Sequence, residues 1–96
     1  MKDEQIEALA KILKAMSHPI RLQILCHLQN RELSVGDIRG LVKTTNANIS
    51  QHLNILRAQG IIDFRKESNF IYNKITDKRI LDMINKMQKL FCPYHK

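Results

Sequence analysis

The 96-residue chain is poor in several features, and each shortage narrows the range of functions. It has 3 glycines, too few for a glycine-rich phosphate loop, and no paired-carboxylate motif in a recognisable setting. An enzyme is therefore a less favoured class of function than a binding protein. No apolar run approaches the roughly 20 residues of a membrane span, and no N-terminal signal pattern is present. We expect a cytoplasmic protein with no membrane partner.

Acidic side chains are also scarce relative to basic ones. Sixteen Lys and Arg oppose nine Asp and Glu, which gives a formal charge of +7. This balance favours an anionic partner such as nucleic acid, whereas the simpler alternative is a solvated basic surface with no partner. We treat residues 1–96 as one small domain. Because small domains bury a modest core, dimerisation is a reasonable expectation.

Apolar spacing and turn signals divide the chain into helices and strands. The predicted helices are Asp3–Met16, Pro19–Gln29, a segment capped by Ser34 that ends near Val42, Asn46–Gln59, and a segment capped by Thr76-Asp77 that ends near Phe91. The predicted strands are Ile61–Glu67 and Phe70–Ile75, joined at Glu67-Ser68-Asn69, with residues 30–33 as a plain connection. This order describes a winged helix-turn-helix, mainly α with a two-stranded β-wing.

The fourth predicted helix has a polar outward face without acids. Ile49, Leu53 and Leu56 fall at helical spacing and are predicted to pack inward. The opposite face carries short amides and hydroxyls that can donate to or accept from base edges. No acid occurs between Asp37 and Asp63, which suits a phosphate-lined groove. We predict double-stranded operator DNA as the partner, with contacts from Thr45, Asn46, Asn48, Ser50, Gln51 and Arg57.

The hairpin that follows carries two adjacent cations near its tip. Arg65 and Lys66 are natural contacts for phosphates or for the minor groove. A surface hairpin with two incidental cations is the simpler alternative. A dimerisation module that kept the winged fold without DNA affinity is a further rival, and salt-dependent binding to DNA would discriminate the two.

The two end helices carry apolar rows that suit a dimer seam. A row this apolar is unexpected on the last helix of an isolated monomer, so we predict that both end helices form a homodimer interface. The rows are Ile6, Leu9, Ala10, Leu13 and Met16 in the first helix, and Ile80, Met83, Ile84, Met87, Leu90 and Phe91 in the last. In the second helix, Leu22, Leu25, Cys26 and Leu28 are available to the core.

Several short motifs resemble the ArsR/SmtB family of bacterial winged-helix repressors. They are Ser50-Gln51-His52-Leu53, Leu56-Arg57, Gly60-Ile61-Ile62, Lys14-Ala15-Met16-Ser17-His18-Pro19 and Arg21-Leu22-Gln23-Ile24-Leu25, and together they span nearly the whole chain. The resemblance implies a homodimeric repressor whose affinity for operator DNA falls when an inducer binds or modifies it.

The metal sites known in this family lack their ligands here. The third-helix stretch is Glu32-Leu33-Ser34-Val35-Gly36-Asp37, without the two cysteines that metal sensors carry there. The positions of the other family site, in the last helix, are Asp77, Arg79, Leu90 and Pro93. Only Asp77 is a competent ligand, and it is better explained as a helix cap. We expect no metal and no other cofactor.

Two cysteines remain, Cys26 in the second helix and Cys92 at the end of the last. Such a pair is more often reactive or ligating than a structural disulfide, although Cys26 could be a small buried hydrophobe and Cys92 is the one expected to be exposed. Leu22–Cys26 and Leu90–Pro93 resemble the persulfide-responsive branch of the family. This resemblance implies that reactive sulfur species link the two thiols and release DNA. A metal site of Cys26, Cys92 and His95 is the alternative.

Overall fold

The computed structural model describes residues 1–92, which form five α-helices and three β-strands. The elements are α1 Asp3–Met16, α2 Pro19–His27, β1 Leu33–Ser34, α3 Val35–Leu41, α4 Asn46–Ala58, β2 Ile62–Glu67, β3 Phe70–Ile75 and α5 Lys78–Phe91. Among these residues, no helix has both the length and the apolar character needed to cross a bilayer.

Side chains placed just before each helix fix where several helices begin. The Ser34 hydroxyl accepts from the Asp37 amide at 3.0 Å while the Asp37 carboxylate accepts from the Ser34 amide at 3.0 Å. The Thr45 side chain caps α4 by accepting from the Asn48 amide, and the Asp77 side chain caps α5 by accepting from the Arg79 amide. Each cap satisfies amides that have no partner within the helix, which is why these residue types stop the preceding segment and start the next. The caps predicted at Ser34 and Asp77 are confirmed.

One apolar core joins all five helices to the sheet within residues 1–92. The inward row predicted for α4 is confirmed, because Ile49, Leu53 and Leu56 are buried. These three side chains fix the orientation of α4, so that the polar face opposite them points to solvent. The buried apolar residues are Ala15, Met16, Ile24, Leu25, Leu28, Leu33, Ile38, Val42, Ile49, Leu53, Leu56, Ile61, Ile62, Ile75, Ile80 and Ile84.

The sheet has three strands in the described part of the chain, not the two that were predicted. Leu33, predicted as connection, and Ser34, predicted as a helix cap, pair antiparallel with the middle of β3, and the strand order is β1-β3-β2. A two-residue strand has no periodic pattern of its own, so only its distant partner reveals it. The boundaries of β3 are as predicted, while β2 and α4 are each one residue shorter.

The second helix presents a different face to the core than predicted. It ends at His27 instead of Gln29, because the chain turns through Asn30 at a positive φ of 58°. Ile24, Leu25 and Leu28 occupy the core, whereas Leu22 is 38% exposed. The prediction that Leu22 and Cys26 face the core was therefore wrong, and the thiol of Cys26 lies at the surface.

The apolar rows of the two end helices are divided between the core and solvent. Ile80 and Ile84 pack in the protomer's own core, which corrects their assignment to the dimer seam, and Met16 of α1 is buried as well. Leu90 and Phe91 remain 74% and 81% exposed. The exposed apolar surface thus lies toward the C-terminal end of α5, and α1 contributes Ile6 and Leu13 at 49% and 43% exposure.

Candidate nucleic-acid interface

The outward face of α4 is polar, exposed and free of acidic residues. Asn46, Asn48, Ser50 and Gln51 are all exposed, and no acid occurs in the first turn of the helix. Thr45 precedes them, and its hydroxyl accepts from the Asn48 amide at 3.1 Å. These five predicted contacts are therefore at the surface, as a helix that enters the major groove requires.

The polar side chains on this face differ in their existing partners. The Asn48 side-chain amide donates to the Thr44 hydroxyl at 2.9 Å. Asn54 accepts from the Arg57 guanidinium at 2.9 Å. The structure shows no side-chain hydrogen bond to Asn46, Ser50 or Gln51 within residues 1–92, so these three can bind a ligand without first breaking a protein contact.

Arg57, predicted as a DNA contact, is half-buried between α4 and the sheet. Its Nη2 donates to Asn73 Oδ1 at 3.3 Å, and its guanidinium carbon lies 4.3 Å from the centroid of the Phe64 ring. Asn73 is fully buried, and its amide donates to the Leu33 carbonyl at 3.2 Å. Arg57 and Asn73 therefore attach α4 to all three strands. A direct DNA contact by Arg57 remains a prediction, and it would compete with these bonds.

The importance of Asn73 was not inferred from the sequence, although a signal was present. Side chains alternate between the faces of a strand, so Ile71, Asn73 and Ile75 share one face of β3. A single amide between two isoleucines on the same face indicates a buried polar group with a specific partner.

The two wing cations that were predicted as DNA contacts, Arg65 and Lys66, lie on opposite faces of β2 and have different surroundings. Arg65 Nε donates to Glu32 Oε2 at 2.6 Å, Arg65 Nη1 is hydrogen-bonded to Glu67, and the guanidinium lies 4.9 Å from the centroid of the Tyr72 ring. The hydrogen bonds that Arg65 donates to Glu67 and Glu32 raise its pKa above the ordinary value. Lys66 is exposed and joins no ion pair within residues 1–92. The sequence did not indicate that Glu32 and Glu67 would hold one of the two cations.

A cluster of basic side chains lies where α2 meets α4. Arg21 Nη1 lies 3.2 Å from His52 Nδ1, and the His18 and His52 ring centroids lie 4.4 Å apart with their planes tilted by 44°. Desolvation lowers the pKa of His52, and the nearby His18 and Arg21 lower it further. His18 also accepts from the Ile20 amide through Nδ1 at 3.1 Å, which caps α2. These contacts join the start of α2 to His52 of α4.

Two cysteines lie away from α4, at the ends of α2 and α5. Both Cys26 and Cys92 are exposed and free, which corrects the expectation that only Cys92 would be exposed. Desolvation by the surrounding protein raises the pKa of the Cys26 thiol, and the charge of Cys92 raises it further. The helices that lead to the two thiols, α2 and α5, are in contact.

No cluster of three or more His, Cys, Asp and Glu side chains that could hold a metal ion occurs within residues 1–92. Asp77 caps α5, and both of its oxygens accept from Arg79, which lowers the pKa of the carboxyl group. This confirms the interpretation of Asp77 as a cap. His95, the third ligand of the alternative metal site, lies outside the described residues.

Sequence relatives of the chain are regulators of transcription and not enzymes. A family model described as bacterial regulatory protein, arsR family, matches residues 18–63. The biofilm growth-associated repressor of Xylella fastidiosa is 30% identical over 94 residues, which cover 98% of this chain and 82% of that protein. The transcriptional activator HlyU of Vibrio cholerae is 37% identical over 81 residues, which cover 84% of this chain and 75% of HlyU.

Solved structures of HlyU from Vibrio cholerae N16961 have the same fold. One has a TM-score of 0.91 at 33% identity and covers 95% of this chain and 99% of that chain. Another, of reduced HlyU, has a TM-score of 0.90 at 33% identity and covers 94% and 95%. These similarities confirm the winged helix-turn-helix predicted from the sequence.

Proposed function

The chain belongs to the ArsR family of bacterial regulatory proteins and is a transcription regulator, and on this premise we propose that it represses transcription by binding operator DNA as a homodimer. The observation that carries the proposal is the exposed, acid-free face of α4, where Asn46, Ser50 and Gln51 have no competing partner within residues 1–92. Such a regulator acts in the cytoplasm, and residues 1–96 act as one domain.

Dimerisation follows from the apolar surface that the protomer leaves uncovered. Leu90 and Phe91 are exposed at the end of α5, and Ile6 and Leu13 are partly exposed on α1. A second copy would bury these side chains and pair two α4 helices across a twofold axis. Helices related in this way address major grooves about one turn, roughly 34 Å, apart, so the operator should be a near-palindrome.

We further propose that the dimer releases DNA when reactive sulfur links Cys26 to Cys92. Both thiols are free and exposed, and the helices that lead to them, α2 and α5, are in contact. Burial raises the pKa of the Cys26 thiol and so disfavours its thiolate, and we therefore assign the first attack to Cys92, which follows the last turn of α5. One relative with this fold was solved in a form described as reduced, which supports a thiol-dependent state in the family.

In the proposed reaction the persulfide donor, RSSH, is the oxidant and supplies the added sulfur. The Cys92 thiolate takes the outer sulfur of one donor and expels RS⁻, and Cys26 takes a sulfur from a second donor in the same way. Attack of one protein persulfide on the other then closes a trisulfide and expels HS⁻. A trisulfide spans a wider gap than a direct disulfide, which requires Cα atoms about 4.4 to 6.8 Å apart.

Binding to fragmented genomic DNA followed by sequencing tests the DNA-binding part. A shared near-palindrome supports the proposal. A protein that stays monomeric at micromolar concentration and binds no duplex contradicts it. In that case the winged fold would serve as a dimerisation module or another kind of interaction domain.

Mass spectrometry and DNA release, measured after addition of a persulfide donor, test the switch. We expect an intrasubunit bridge that carries extra sulfur and loss of operator binding, both reversed by a reductant. Cys26→Ser and Cys92→Ser proteins should stay bound to DNA with the donor. Normal release by both variants would contradict the dithiol mechanism, and release by zinc that depends on His95 would support the metal-responsive alternative.

A further inference from the structure

The Arg65 side chain extends across the outer face of the sheet. Arg65 on β2 pairs in register with Tyr72 on β3, and its guanidinium lies 4.9 Å from the Tyr72 ring centroid. Beyond the ring it reaches Glu32, which immediately precedes β1 and bonds to Arg65 Nε at 2.6 Å. Arg65 therefore spans all three strands, and its guanidinium is directed at an acid outside the wing.

A second acid occupies another donor of the same guanidinium. Glu67, two residues further along β2, pairs with Arg65 Nη1. The Nε and Nη groups of arginine are also the donors that a phosphate would bind. Arg65 thus has two carboxylates where a nucleic-acid backbone would place its oxygens, and both carboxylates would also repel a phosphate approaching the wing.

Lys66 provides the contrast on the other face of the strand. Consecutive residues of a strand point to opposite faces, so Lys66 lies on the face away from Glu32 and Glu67. It is exposed and has no ion pair within residues 1–92. Strand β2 therefore carries one available cation and one that is already paired.

We infer that Glu32 and Glu67 restrain DNA binding, by holding the Arg65 guanidinium in competition with a backbone phosphate; this inference rests on the proposed DNA binding. The two acids set the affinity of the wing below the value its cations would otherwise give. DNA engages Arg65 only by displacing the carboxylates, which remain as negative charges beside the duplex.

The expected size of the effect follows from the exposure of the pair. The Arg65 side chain is 51% exposed and those of Glu32 and Glu67 are 31% and 63% exposed, so water screens both interactions. Exposed ion pairs of this kind contribute little free energy. Releasing one should therefore strengthen DNA binding by about two- to fivefold. A new phosphate contact should also steepen the salt dependence by up to about one unit.

The test measures binding of reduced full-length protein to a mixed-sequence duplex of about two helical turns over a range of salt concentrations. Reducing conditions keep the cysteine switch out of the measurement. We expect Glu32→Gln and, separately, Glu67→Gln to bind more tightly than the unmodified protein. Asp82→Asn is the matched control, because it removes one negative charge from an exposed position on α5 and should change affinity less.

Repeating each substitution in an Arg65→Ala background isolates the restraint. The gain from Glu32→Gln or Glu67→Gln should disappear without Arg65. An equal gain in both backgrounds would reduce the effect to general charge and overturn the inference. Weaker binding by a folded Glu32→Gln protein would also overturn it, since Glu32 would then orient Arg65 toward DNA. If the unmodified protein binds no duplex at all, the proposed function itself fails.

Discussion

The outward face of α4 and the wing are both polar and exposed, yet their side chains differ in availability for a ligand. On α4, Asn46, Ser50 and Gln51 have no side-chain partner within residues 1–92, so bases can bind them without rearrangement. On the wing, Arg65 is exposed but already bonded to Glu32 and Glu67. Exposure therefore does not measure availability. A count of surface cations overestimates how strongly this wing can bind DNA.

Arg57 and Asn73 connect the two regions. Arg57 ends the polar row of α4 and bonds to Asn73 on β3, which in turn bonds to the Leu33 carbonyl on β1. The angle between α4 and the wing thus depends on the hydrogen-bonded pair of Arg57 and Asn73, of which Asn73 is fully buried. Both regions can contact one duplex only if this connection holds.

The largest expected effect comes from breaking that connection. Asn73→Leu leaves the Arg57 guanidinium and the Leu33 carbonyl without their buried partner, so the free energy of unfolding should fall by about 2 to 3 kcal/mol. Urea denaturation measures the change. Asn54→Ala is the control, since it removes an exposed partner of the same arginine and should change stability by about 0.5 kcal/mol or less. Equal free energies of unfolding for Asn73→Leu and the unmodified protein would show that this connection does not stabilise the fold.

A smaller effect separates the two wing cations. Lys66→Ala should weaken binding across DNA sequences and lower the salt slope by about one unit, because it removes an available phosphate contact. Arg65→Ala should lower the slope by less, because Glu32 and Glu67 already neutralise much of its charge. Titrations at several salt concentrations measure both slopes. A larger change for Arg65→Ala would mean that DNA displaces the two acids with little difficulty.

The smallest effect concerns the pH dependence of stability that arises from His52, on the side of α4 that contacts α2. Its pKa is lowered in the folded protein, so the unfolded chain binds more protons just below the ordinary value of about 6.5. Stability should therefore be full above that pH and decline as the pH falls through it. His52→Gln should flatten this decline in unfolding measured between about pH 7.5 and 5.5. An unchanged decline in the variant would assign the pH dependence to other groups.

The parts of the molecule that local patterns determine could be predicted from the sequence. Ser34 and Asp77 act within one helical turn, and Ile49, Leu53 and Leu56 repeat at helical spacing, so nearby residues suffice to identify them. The face of α2 was harder to predict, because Leu22 and Leu25 are equally apolar and tertiary packing decides which one is buried.

The missed features all depend on residues far apart in sequence. Leu33 becomes a strand only through β3, Asn73 is satisfied by Arg57 and Leu33, and Glu32 finds Arg65 across the sheet. No local pattern near Glu32 or Arg65 indicates their pairing. The sequence therefore predicted that α4 presents polar side chains at its surface, but it could not predict which polar and basic side chains are already bonded to other residues.

The most direct test of sequence recognition by the outward face of α4 is the binding of the Gln51→Ala variant to two duplexes. One is a genomic fragment selected by the unmodified protein, and the other is a mixed-sequence duplex of the same length. If α4 contacts bases through its uncommitted side chains, Gln51→Ala should lose about 1 to 3 kcal/mol on the selected fragment and keep its affinity for the mixed sequence. Equal losses on both duplexes, or no loss on either, would contradict the assignment of sequence recognition to this face.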